Sequence, residues 1–205
     1  QEIKKYYGPI EEKNKQQNLV LIFSILGAVL IGSGIILLLA HNWSQLTRLS
    51  RTGIIFSGLI GAQTFVGWVL INRADSISWR EGSATFLTFI VGAAIALIGQ
   101  TYHFPSDLSN FLLTWMLLSL PLVYIVDTTI PAIIYLAGIS WWGFLVPGQS
   151  RLLLWLLVAV VVPYYIKQIK RDKTSRKVSV LSWGLSFTIL LGIGSTLELT
   201  PYSSL

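Results

Sequence analysis

Seven long apolar runs separated by short charged gaps take up about two-thirds of this chain, with charge confined to the gaps and the ends of runs. The first, residues 19–40, is 22 residues without a charge, which at 1.5 Å per residue crosses roughly 30 Å of hydrocarbon. It is too long for the apolar segment of a secretory leader, about 7 to 15 residues, and it leads into His41-Asn42-Trp43, not a small-residue cleavage site. The others lie at 52–72, 83–102, 108–126, 130–146, 151–166 and 178–197. Because a backbone in lipid must satisfy its own hydrogen bonds, runs of this length predict helices. The expected fold class is all-α: a polytopic transmembrane bundle of about seven helices over residues 19–205. The fifth and sixth runs are short and lie beside Pro131, Pro147 and Pro163, so the expectation there is a tight hairpin or an incomplete crossing. The chain opens on Gln1 instead of Met and stops soon after an apolar run, so the expectation is further sequence at both ends.

Orientation follows from where Lys and Arg fall, since short basic loops stay on the cytoplasmic side. With the N-terminus inside, twelve of the 15 basic residues are internal and only Arg48, Arg51 and Arg151 are external. Residues 1–18, of mixed charge and carrying Gly8-Pro9, then read as the end of a cytoplasmic N-terminal segment. The same scheme puts Glu2, Glu11, Glu12, Asp75, Glu81, Asp127 and Asp172 inside, with Asp107 and Glu198 outside. None is at membrane depth, where a cation-coupled carrier commonly keeps a carboxylate.

The group nearest mid-membrane is Gln63, whose amide needs a partner: an interhelical hydrogen bond worth about 1 kcal/mol, or a substrate. Small residues four apart, at Ala28/Gly32, Ser57/Gly61, Gly58/Ala62 and Gly92/Ala96, predict close packing among the first three helices. Strongly polar groups gather on the outer side. His41, Asn42 and Trp43 close the first run; Gln100, Tyr102 and His103 close the third; Asp107 opens the fourth, and Glu198 follows the seventh. Converging helix ends would make these eight side chains an outward cup for a small polar molecule or a lipid headgroup; splayed ends would leave an interfacial belt. Asp107 also has a local role available, as cap of the next helix. On the inner side, Lys167, Lys170, Arg171, Lys173, Arg176 and Lys177 form a dense basic stretch, an anchor by charge and a candidate contact for anionic lipid or a protein partner.

Other chemistry is excluded or unsigned. The chain has no cysteine, which removes disulfides and thiolate metal sites from it. No nucleophile elbow, phosphate loop, zincin pattern or dinucleotide fingerprint occurs, so no metal, cofactor or catalytic residue is expected. An acid-base pair of His103 and Asp107 lacks an accompanying nucleophile. The net charge of +6 sits at helix ends, which points to lipid and not nucleic acid.

The segments Gly34-Ile35-Ile36-Leu37-Leu38-Leu39-Ala40-His41-Asn42-Trp43, Arg80-Glu81-Gly82 and Ala96-Leu97-Ile98-Gly99-Gln100-Thr101-Tyr102-His103 resemble the domain of unknown function family 2157. The likeness covers about residues 19–145, with His41 where the family often has alanine and Thr101 where it often has isoleucine. It implies a multi-pass protein of the bacterial inner membrane and supplies no activity. Its recurring polar motifs fall on Asn42, Trp43, Gln100, Tyr102 and His103. Two functions are therefore expected: binding or transport of a polar molecule or lipid headgroup through the outer cup, or a structural subunit of a membrane complex. The partners expected are the lipid bilayer and either further copies of the chain or other membrane proteins.

Overall fold

A computed structural model describes residue 30 and residues 43–104, 107–146 and 151–197. Residues 48–205 form one compact unit; of the unit before it, the described part includes the 3-10 turn Trp43–Gln45. Among the described residues there are six α-helices and no strand: α1 Arg48–Asn72, α2 Ile77–Tyr102, α3 Leu108–Ile125, α4 Ile130–Leu145, α5 Arg151–Arg171 and α6 Arg176–Leu197. Five are long and apolar enough to cross a membrane, and α4, at 16 residues, is the shorter exception.

Each apolar run from 52 onward thus becomes a helix, while the run at 19–40 lies outside the described residues apart from residue 30. The ends that differ by more than one residue do so mostly in one direction, because helices continue into the charged gaps. α1 starts at Arg48, α2 starts at Ile77 and so contains Arg80 and Glu81, and α5 passes Pro163 and runs to Arg171. The sixth run is therefore a helix of 21 residues, not a short one. The physical reason is that Lys and Arg stems lie along apolar surface while their heads reach water. Lys170 and Arg171 also sit favourably in the last turn of α5, against its negative end. Of the basic stretch 167–177 only residues 172–175 are non-helical.

The largest cluster of buried residues lies around α4, with a second between α1 and α2. α4 packs against α2, α3, α5 and α6, and its Tyr135, Leu136, Ile139 and Trp142 meet Met116 of α3 and Leu157 and Val161 of α5. α1 packs on α2 through Ala62 and Val66, against Ala84 and Leu87. Aromatic hydroxyl and indole groups are anchored on carbonyls of neighbouring helices, as an apolar surrounding requires. Trp115 Nε1 donates to Thr88 O at 2.7 Å, Tyr135 to Leu157 O at 3.0 Å, and Tyr124 to Val160 O. Tyr165–Ser182 at 2.7 Å and Ser140–Thr188 at 3.1 Å tie α5 and α4 to α6.

Successive helices alternate in direction, so the turns 73–76, 126–129 and 172–175 come together at one end. That end carries Arg73, Arg80, Lys167, Lys170, Arg171, Lys173, Arg176 and Lys177; Arg48, Arg51 and Arg151 lie at opposite ends of their helices.

The expected small-residue pairs behave differently from one another. Ala28/Gly32 lies outside the described residues, and a Cβ on Gly58 or Gly61 would meet nothing within 4 Å. Gly92 receives the indole of Trp115, not a neighbouring backbone: a Cβ there would stand 2.7 Å from Trp115 Cε2. Since the indole is pinned by its bond to Thr88, Gly92→Ala should lower stability by about 1–3 kcal/mol through overpacking. Gly58→Ala should stay within about 0.5 kcal/mol of the parent, and unfolding midpoints of the two variants in one detergent compare them directly.

Candidate functional site

The cation-rich end is organised around two carboxylates. Glu81 lies one turn into α2, and its side chain is only 12% exposed. Its Oε1 and Oε2 accept the N–H of Thr129 at 2.8 and 2.9 Å, and Oε2 also accepts that of Ile130 at 2.9 Å. These are among the first amides of α4, donors with no partner inside their own helix. A carboxylate there satisfies them and complements the positive end of the helix dipole. Lys177 Nζ, on α6, lies 3.5 Å from Glu81 Oε1 and donates to Asp127 O at 3.5 Å.

Asp127 makes the turn from α3 to α4 with φ 57°, the left-handed region that Asp tolerates better than most residues. Its carboxylate, 13% exposed, accepts from Gln168 Nε2 at 2.7 Å and Arg171 Nη1 at 2.8 Å, with Lys167 Nζ at 3.9 Å. Gln168 is itself buried. Beneath this layer the Tyr164 hydroxyl is buried beside the side chains of Thr129 and Gln168 and closes a hydrogen bond with neither. Five elements are thereby bound to one another by charge-assisted contacts: α2, the α3–α4 turn, α4, α5 and α6.

Next to this network a polar cleft of about 620 Å³ opens between the start of α2, the end of α5 and the start of α6. Arg80, Arg171, Arg176 and Lys177 line it, with Asp75 and Asp172 as its acids. Arg171 and Lys177 are paired with carboxylates. Asp172 Oδ1 accepts the Thr174 N–H at 2.9 Å. Among the described residues no carboxylate lies within ion-pair distance of Arg80 or Arg176, and the Arg80 Nε is shut off from solvent with no acceptor.

The residues expected to form the outer cup are distributed as follows. His41, Asn42 and Glu198 lie outside the described residues. Trp43 opens the 3-10 turn. Gln100 is exposed near the end of α2. Tyr102 is held toward α1, its hydroxyl 3.0 Å from Thr52 Oγ1, and it stacks on Phe104. His103 is exposed, caps α2 with φ 56° and gives its backbone N–H to Gly99 O. Asp107 caps α3 by accepting the Ser109 N–H at 3.4 Å, and lines a groove of about 520 Å³ with Phe104, Asn110 and Thr114. Gln63 is exposed on α1.

Within the basic stretch the structure separates roles that composition treats alike. Arg171 and Lys177 take part in the network, Lys167 stands at its edge, Arg176 faces the cleft, and Lys170 and Lys173 belong to neither. Sequence reasoning passed over Glu81, Asp127, Arg80 and Gln168 as site residues. A signal existed for the acids, since sorting the gaps by side puts Glu81 and Asp127 with the basic stretch. Gln168 offered none, because a single amide near a run's end is unremarkable.

A carboxylate accepting two backbone amides, that of Thr129 shared between its oxygens, and facing Lys177 has a measurable share in stability. Hydrogen bonds to charged groups contribute about 1.5–3 kcal/mol, so Glu81→Ala should destabilise the protein by about 2 kcal/mol or more. Glu81→Gln, which keeps one acceptor oxygen, should cost less. In hydrogen exchange the amides of Thr129 and Ile130 should be the ones that lose most protection.

In comparison with known proteins, a family profile described as "Predicted membrane protein (DUF2157)" covers residues 1–132. No curated protein and no solved structure matches the chain.

Proposed function

Because the chain belongs to the DUF2157 family of predicted membrane proteins, we propose, as a reading of its charged end within that family, that it binds anionic lipid headgroups there. In this reading it is a multi-pass protein of the bacterial inner membrane, the N-terminus and the cation-rich end are cytoplasmic, and that end holds lipid of the inner leaflet. The observation that carries it is the collection of eight Lys and Arg residues of α2, α5, α6 and the turns before α2 and α6 at one end, around a polar cleft. Positive charge at a short-looped end is what fixes orientation during insertion. Each cation near an anionic surface adds about 1 kcal/mol of attraction.

The reading takes up the lipid contact expected of the inner basic stretch and prefers it to the outer cup on the opposite side of the bilayer. What favours the move is the paired and buried scaffold of Glu81, Asp127 and Gln168 beneath the cations, which holds them in place. The outer residues have no comparable support among the described residues: Tyr102 and Asp107 are engaged in separate local contacts.

The test is lipid dependence. In nanodiscs the unfolding temperature should rise as phosphatidylglycerol replaces phosphatidylcholine, and added salt should reduce the gain, since screening acts on exposed charge. Native mass spectrometry should show anionic lipid retained through purification. Equal stability in both lipids at every salt concentration, with no retained lipid, would overturn the reading.

A further inference from the structure

Resting on that reading, we propose that the cleft at the cation-rich end is a discrete phosphate site, closed on its anion by Arg80 and Arg176. A basic surface attracts any anion; the features here select one with several oxygens at short spacing. Four cations, Arg80, Arg171, Arg176 and Lys177, line it with two acids, Asp75 and Asp172. The volume of about 620 Å³ is on the scale of a small-molecule pocket.

The cations do not contribute equally. Arg171 is held 2.8 Å from Asp127, and Lys177 is held 3.5 Å from Glu81, so much of their charge is already answered. Arg80 and Arg176 have no side-chain partner among the described residues, and the buried Arg80 Nε donates to nothing. Two free guanidinium groups in one cleft are suited to a tetrahedral oxyanion, which each can meet with paired N–H donors.

The backbone adds to this. The cleft lies where two long helices begin: Ile77 starts α2 and Arg176 starts α6, and both positive ends face it. The Ser76 side chain makes no capping bond to α2, leaving that turn's amides without a side-chain acceptor. The Ser175 hydroxyl reaches only Val178 N, at 3.4 Å, in α6.

Phosphate can arrive as a lipid headgroup or as a free ion, and the experiment separates these. Purified full-length protein in detergent is titrated with inorganic phosphate, and protein in phosphatidylcholine nanodiscs is titrated with phosphatidic acid, each read by unfolding temperature. Three double variants are compared with the parent: Arg80→Gln/Arg176→Gln, Arg80→Lys/Arg176→Lys and Lys170→Gln/Lys173→Gln. The first should weaken saturable binding roughly 100-fold, about tenfold for each lost charge-assisted contact. The lysine pair should fall between it and the parent, because charge is kept and paired donors are lost. The Lys170/Lys173 pair should keep saturable binding. This pattern with inorganic phosphate identifies the free ion as ligand; the pattern with phosphatidic acid alone identifies the headgroup; either supports the site. Equal effects of the glutamine pairs, or loss only in the Lys170/Lys173 pair, overturn the discrete site while leaving the preference for anionic lipid standing. No response in either titration, in a protein whose stability is also indifferent to phosphatidylglycerol, overturns both.

Discussion

The rest of the structure depends on how the start of α4 is satisfied. A helix of 16 residues spans about 24 Å, short of the roughly 30 Å of hydrocarbon its longer neighbours cross. The start of α4, packed among other helices, is largely enclosed, with Thr128 and Thr129 buried, so water is a poor source of acceptors for its first amides. Glu81 supplies them. It lies one turn inside α2, about 6 Å along the axis from that helix's start, and accepts the amides of Thr129 and Ile130. A carboxylate so little exposed requires a cation, which Lys177 provides. Asp127 needs the same and obtains it from Arg171. The charge network is in this sense a consequence of the enclosed start of α4.

The same rule governs the apolar interior. Tyr124, Tyr135 and Trp115 give their polar hydrogens to carbonyl oxygens on neighbouring helices. Two of those acceptors, Leu157 and Val160, lie in the turns of α5 just before Pro163. The carbonyl that proline deprives of its helical donor is that of Ala159, four residues earlier, so Leu157 and Val160 accept the tyrosine hydroxyls through the second lone pair of a helical carbonyl.

Much of the fold was legible because length and hydropathy are enough to specify membrane helices: every described run became one. Helix ends were misjudged where apolar character stopped before helical structure did, at Arg48, at Ile77 to Glu81 and at Lys167 to Arg171. Charge ends an apolar run without ending a helix, and the sequence carries no mark of the difference. Packing was less legible. Small residues four apart suggest backbone approach, yet Gly92 is occupied by an indole and Gly58 and Gly61 meet nothing. The outcome depends on which helix a face meets, and one-dimensional spacing does not contain that angle. For the site, sorting by side placed Glu81 and Asp127 with the basic stretch, whereas the packing of α4 against α2, which brings Glu81 to Thr129 and Ile130, follows only from the packed bundle. The outer residues drew more weight because His, Trp and Asn are conspicuous beside apolar runs; at the described positions their local roles are capping and stacking.

The cations of the charged end fall into groups by what faces them. Arg171 and Lys177 pair with carboxylates about the start of α4, and Arg80 and Arg176 meet no carboxylate at ion-pair distance among the described residues. Because Arg171 and Lys177 also line the cleft, an anion bound there shares them with Asp127 and Glu81. Sharing of this kind couples the two events, and the coupling is reciprocal: whatever an occupant does to the Glu81 contact, loosening that contact does to the occupant's affinity in equal measure. The sign depends on whether the anion draws Lys177 away from Glu81 or settles between them. In either case the end of the bundle that collects the cations is also the end that fixes its shortest and most enclosed helix.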